Sequence, residues 1–212
     1  MQKNFNIFVK AILSGIYIAI AGTFYLFVSN NYTFGAILGS LLFSIALLVI
    51  CNRGYYLYTG KVGYLLPYQK NNTAMVLFTI LGNLLGVLLL TVVISLSGTI
   101  NIKQYAINAS NIKLAKQWYE IIFSSILCGI LMYTAVDGYT NIKSDFGKTI
   151  IIILAVMGFI LAGFEHSIAN MYYFLVGQIF SFKALGYILL MIIGNGLGAL
   201  LINLLHTLLK KE

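Results

Sequence analysis

Glu165 and His166 stand side by side between two apolar pieces, where hydrocarbon would surround them unless the fold encloses a polar cavity. An ionisable side chain at that depth is costly, so each is a functional candidate by default. A histidine there can donate a hydrogen bond to an anion or lend it a proton, because its unperturbed pKa is about 6.5. The alternative is a buried His–Glu pair that ties two helices together. Thr59 is the counterpart expected in the first half. Its hydroxyl can donate to an anion or orient the histidine, or simply bond its own helix. Lys148 opens an apolar run beside Asp145 and can lend positive potential to an anion path or snorkel to the interface. Asn83 and Asn195 lie in small-residue segments that suit close helix packing with an interhelical hydrogen bond. Arg53 reads as an anchor or an anion-attracting charge, and His206 and Trp118 as interfacial anchors.

The elements that must hold these residues are membrane spans. The 212 residues are 60% hydrophobic and 8% charged, against about 25% charged in a soluble domain. Mean hydropathy is +0.95, and the apolar residues come in runs near the roughly 20 that a bilayer needs per helix. Six spans are expected, at about Ala11–Val28, Phe34–Cys51, Ala74–Ser97, Tyr119–Val136, Thr149–Phe164 and Leu185–Leu209. The second continues past Cys51 into a semi-polar, Gly-punctuated stretch, Asn52 to Gly60. The fifth continues through Glu165–Asn170 into a further apolar piece, Met171–Phe180. Both read as broken helices.

The halves repeat. Ile12-Leu13-Ser14-Gly15-Ile16 is matched by Ile126-Leu127-Cys128-Gly129-Ile130, and Gly82-Asn83-Leu84-Leu85-Gly86 by Gly194-Asn195-Gly196-Leu197-Gly198. Three spans per half is an odd number, so the halves enter the membrane with opposite topology. Paired interruptions in such inverted repeats point to a transport pathway. The fold expected is an all-α membrane protein: a single channel domain over 1–212, with repeats at about 1–100 and 115–212.

The net charge of +8 does not imply nucleic acid, because the lysines lie singly between apolar runs, where they orient a membrane protein. Lys3, Lys10, Lys61, Lys70, Lys143, Lys210 and Lys211 fall on one face. Lys103, Lys113, Lys116 and Lys183 fall on the other, so the bias favours cytoplasmic termini. Cys51 and Cys128, far apart in apolar stretches, give neither a disulfide framework nor a metal spacing. The first apolar run lacks a small-residue cleavage site and reads as a span rather than a signal peptide. No cofactor is expected.

Gly163-Phe164-Glu165-His166-Ser167-Ile168-Ala169-Asn170-Met171 closely resembles the fifth-span signature of the formate–nitrite transporter family. The likeness extends to Lys148, Phe159, both Gly-Asn segments, and Leu57-Tyr58-Thr59-Gly60, which is similar to the family's second-span motif. The resemblance implies an aquaporin-like protomer with broken second and fifth helices, assembled in the bilayer of the cell membrane as a homopentamer. Each protomer would pass formate, nitrite, hydrosulfide or similar small monovalent anions. By the same resemblance His166 is the central pore histidine and Thr59 faces it. Lys148 and Glu165 tune its proton affinity, Asn170 helps orient the site, and Leu57, Tyr58 and Phe159 form apolar constrictions. Tyr56 departs from the family, where an acidic residue is common, and so do Lys61 and Arg53.

The expected mechanism concentrates the anion with lysines and helix ends. A proton supplied through His166 then lets the weak acid cross the apolar ring as a neutral species. A metal-dependent enzyme is disfavoured, since the usual zinc arrangement needs two histidines on one helix face. An aquaporin-type water pore needs paired Asn-Pro-Ala loops, and the chain has one proline.

Overall fold

The computed structural model describes residues 2–99 and 101–209. Lys210 and Lys211, and the side chain of Lys70, counted above for orientation, lie outside the described residues. Among those described, the chain forms nine α-helices and no strand. In the first half α1 (Gln2–Asn31) and α2 (Gly35–Asn52) precede a four-residue helix, α3 (Tyr58–Lys61), which tightens into a 3-10 turn at Val62–Leu65. Next comes α4 (Lys70–Leu96). A connecting helix, α5 (Ile102–Ala115), leads into α6 (Trp118–Asn141), α7 (Asp145–Leu161), α8 (Ser167–Val176) and α9 (Phe182–Leu209).

α1, α2, α4, α6 and α9 are each long and apolar enough to cross a bilayer. α7 has 17 residues, about 25 Å, short of the roughly 30 Å hydrocarbon core, so the fifth span is completed by α8. The outer faces carry exposed Leu77, Leu81 and Leu88 on α4 and Leu197 and Leu201 on α9, as lipid contact requires. α5, which lies between the two expected repeats, buries Ile102, Ala106 and Ser110 and packs on α8.

The two interruptions are built alike. Gly54 (φ 62°) and Gly163 (φ 70°) adopt the left-handed conformation that glycine enters without a Cβ clash. Tyr55 N–H then returns to Ile50 O, and Phe164 N–H to Phe159 O, each at 2.9 Å. That closure satisfies the last carbonyls of α2 and α7 and ends each helix. Three irregular residues follow, Tyr55–Leu57 and Phe164–His166, before helix restarts at Tyr58 and Ser167.

One asparagine braces each restart. Asn83 Oδ1 accepts Tyr58 N–H at 2.9 Å, while its Nδ2 donates to Ala11 O at 2.9 Å and Tyr56 O at 2.8 Å. Asn195 Oδ1 accepts Ser167 N–H at 2.9 Å, and its Nδ2 donates to Ser125 O and Glu165 O, both at 2.8 Å. Tyr56 and Glu165, Leu57 and His166, and Tyr58 and Ser167 are therefore mates across the inverted repeat. The positional counterpart of His166 is thus Leu57, and Thr59 lies two residues beyond it, a correction to the pairing expected above. The asparagines reach these groups because α1 and α4, like α6 and α9, touch at backbone distance. A Cβ on Gly86 would lie 2.0 Å from Ile12 O, and one on Gly198 2.0 Å from Ile126 O. The restarts also cross over: α8 packs against α1 and α4, whereas α3 packs against α6 and the 3-10 turn against α9.

Candidate functional site

The short helices bring Thr59 and His166 together, 107 residues apart in sequence. Both are buried, and His166 Nε2 lies 3.0 Å from Thr59 Oγ1. His166 is also the N-cap of α8, its Nδ1 accepting Ala169 N–H at 3.2 Å. With Nδ1 an acceptor, the network assigns the hydrogen to Nε2, which donates to Thr59. Thr59 Oγ1 then accepts, and its own hydroxyl hydrogen finds no acceptor among the described residues.

Phe159, near the end of α7, covers the imidazole with ring centroids 5.5 Å apart and is itself met edge-on by Phe43 of α2 at 6.0 Å. Leu57 is fully buried beside Thr59. Tyr58, expected with them as a constriction, turns its hydroxyl to Ile192 O on α9 at 2.8 Å, where Gly196 leaves room for it.

Glu165 is wholly buried and fully bonded. Lys113 Nζ reaches Oε2 and Lys116 Nζ reaches Oε1, each at 2.7 Å, and Asn170 Nδ2 donates to Oε2 at 3.0 Å. Two ammonium groups on one carboxylate leave a net positive charge next to His166. Asn170 Nδ2 also donates to His166 O at 3.0 Å, whereas Asn170 Oδ1 and Ser167 Oγ have no partner among the described residues. The break therefore offers the buried hydroxyls of Thr59 and Ser167 as donors, an excess of positive charge and apolar walls, which suit a small anion, whereas Asn170 Oδ1 can only accept.

Lys148, expected with Glu165 to tune the proton affinity of His166, lies elsewhere. It stands in the first turn of α7, paired with Asp145 at 3.6 Å and above the Tyr139 ring. The thirteen residues from Lys148 to the end of α7 span roughly 20 Å, beyond the reach of a lysine side chain.

A family model described as Formate/nitrite transporter matches residues 1–208. The chain belongs to the formate/nitrite transporter family. The uncharacterized transporter YwcJ of Bacillus subtilis is 26% identical over 179 residues, covering 76% of this chain and 69% of YwcJ. The formate channel FocA of Escherichia coli is 29% identical over 184 residues, covering 78% of this chain and 64% of FocA. This chain thus spans less than two thirds of FocA's length. A solved structure described as a pentameric formate channel with formate bound shares the fold at a TM-score of 0.84 and 22% identity, covering 100% of this chain and 99% of that one. The formate/nitrite transporter family and these neighbours are channels and transporters, not enzymes, and this chain is a multi-pass membrane protein. Within that family frame, sequence reasoning found the histidine, the glutamate and both breaks. It missed Lys113 and Lys116, which spacing alone placed among orienting lysines. A signal was present, since the two fall three residues apart on one face of a helical stretch.

Proposed function

We propose that this chain is a channel for small monovalent anions of weak acids, formate or nitrite, with its pore at the junction of the two breaks. Thr59 and His166 are the polar centre of that pore, and Leu57 and Phe159 its apolar walls. Glu165, held by Lys113, Lys116 and Asn170, fixes the break and keeps the local potential positive. The protomers assemble as a homopentamer in the cell membrane with cytoplasmic termini, each a single channel domain of two repeats at about 1–100 and 115–212. The observation that carries the reading is the buried Thr59–His166 contact, made by two helix restarts from oppositely inserted halves.

A bare anion cannot cross a dry apolar ring cheaply. In the proposed mechanism the anion displaces Thr59 as acceptor of the Nε2 hydrogen and takes the Thr59 hydroxyl as a second donor. For His166 to give up its Nε2 proton it must first gain one from solvent at Nδ1, which displaces the Ala169 N–H, and the transfer leaves a neutral imidazole protonated at Nδ1. The neutral acid therefore forms only while the start of α8 is loosened. Two variants separate proton transfer from capping. His166→Asn keeps an N-cap acceptor for Ala169 but has no proton to relay, whereas His166→Phe loses both. In proteoliposomes given external formate or nitrite, wild-type uptake should rise as pH falls. In His166→Asn that pH-dependent component should drop by roughly tenfold or more, with assembly unchanged on size exclusion. Retention of the full pH dependence in His166→Asn rules the relay out.

A further inference from the structure

A cavity of about 170 Å³ opens at the break after α2, with Cys51, Leu57, Gly60, Lys61, Val136 and Thr140 in its wall. Leu57 and Gly60 flank Tyr58 and Thr59 in sequence, so the cavity lies at the break that carries Thr59. Among the described residues Lys61 is the sole charged group lining it. Its Nζ lies 5.3 Å from the Tyr56 ring centroid and 5.5 Å from that of Tyr64. Two π-faces hold an ammonium in place without cancelling its charge. Among the described residues no carboxylate lies within 4.0 Å of Lys61, the ion pairs being those of Lys113, Lys116, Lys148 and His206. Lys10 adds a second cation on the Tyr56 ring, 6.0 Å from its centroid. The acid on this side, Asp137, is taken up by Tyr64, Tyr133 and His206.

The inverted repeat supplies an independent argument. Tyr56 and Glu165 are mates, and five residues beyond each stand Lys61 and Asn170. Asn170 reaches back to Glu165 with a hydrogen bond, and Lys61 reaches back over the Tyr56 ring. Lys61 thus occupies the first-half equivalent of a residue that braces the candidate pore, and it brings a charge where the mate brings an amide.

We propose that Lys61 is the anion-recruiting residue of the first-half vestibule, concentrating a small monovalent anion in this cavity before it meets Leu57. The proposal rests on the anion-channel reading above. One partly exposed ammonium attracts an anion and holds it loosely, so the ion can move on, as conduction requires.

Cys51 shares the cavity wall, and the other cysteine, Cys128, is wholly buried, so the native thiol can report the local potential. Reaction with a negatively charged and a positively charged methanethiosulfonate is measured, each rate normalised to a free thiol in solution. The wild type should favour the anionic reagent by roughly tenfold. Lys61→Gln should bring the ratio near unity, and Lys61→Arg should restore it. In proteoliposomes at low ionic strength Lys61→Gln should raise the half-saturating formate concentration several-fold, a difference that salt screens out. An unchanged labelling ratio with unchanged flux in Lys61→Gln overturns the proposal. Where Cys51 proves unreactive, the half-saturating formate concentration of Lys61→Gln at low ionic strength decides alone, and an unchanged value overturns the proposal. Should the wild type carry no anion at all, the channel reading fails, while the labelling ratio still decides the role of Lys61.

Discussion

At the scale of single residues, Glu165 is the group whose burial asks most of its surroundings. A buried carboxylate left without a partner costs about 3–5 kcal/mol, whereas a second partner is worth less once the first is in place. Lys113 and Lys116 each supply one 2.7 Å contact, and Asn170 a third. Lys113→Met or Lys116→Met alone should therefore lower stability by about 1–2 kcal/mol. The double substitution should cost about 3–5 kcal/mol, more than the singles predict, because only then is the charge uncompensated. Thermal melts of the purified protein would show this, and additive shifts would mean that the lysines do not share one carboxylate. The sequence exposed Glu165 and His166 because ionisable residues stand out against an apolar run. It hid their partners because Lys113 and Lys116 lie 52 and 49 residues away, in a stretch polar enough to pass for a loop. Lys148 misled for the converse reason: it is closer along the chain, yet a straight helix carries it away.

At the scale of elements, each half depends on two helices meeting backbone to backbone so that one asparagine can brace the break. Gly86 and Gly198 are the contact points, since an added Cβ would fall 2.0 Å from a carbonyl oxygen that belongs to the facing helix. Gly86→Ala and Gly198→Ala should each push a helix pair apart at a cost of about 1–3 kcal/mol. Gly198→Ala should also move Asn195 off Ser167 N–H and Glu165 O, reducing flux together with the melting temperature. Gly186, on the same helix α9, has nothing within 4 Å of its would-be Cβ. Gly186→Ala should therefore stabilise by about 0.5–1 kcal/mol through helix propensity and leave flux intact. Equal melting temperatures for Gly186→Ala and Gly198→Ala would refute the close approach. This layer was largely legible, because Gly-Asn-x-x-Gly is a local pattern that occurs twice in the same order. The helix α5 was not, since its buried face is only Ile102, Ala106 and Ser110 and its other positions are mixed. Nor was the use of Asn83 and Asn195 as braces, which depends on tertiary contact.

At the scale of the whole molecule, neither half closes its own break. α8 is seated against α1 and α4 of the other half, and α3 and its 3-10 turn are seated against α6 and α9. Each half thus supplies a re-entrant segment that it cannot bury and a groove that it cannot fill. In hydrocarbon, unburied irregular backbone is not tolerated, so the halves should be interdependent although each holds three spans. Cutting the chain between α4 and α5 and expressing either piece alone should give a protease-sensitive product without formate flux. Co-expression of the two pieces should restore a complex that co-purifies and conducts, because the break leaves every helix intact and the interlock survives. The measurement is flux and limited proteolysis of the three preparations side by side. Were one piece alone to conduct, the pore could not lie where Thr59 of one half meets His166 of the other.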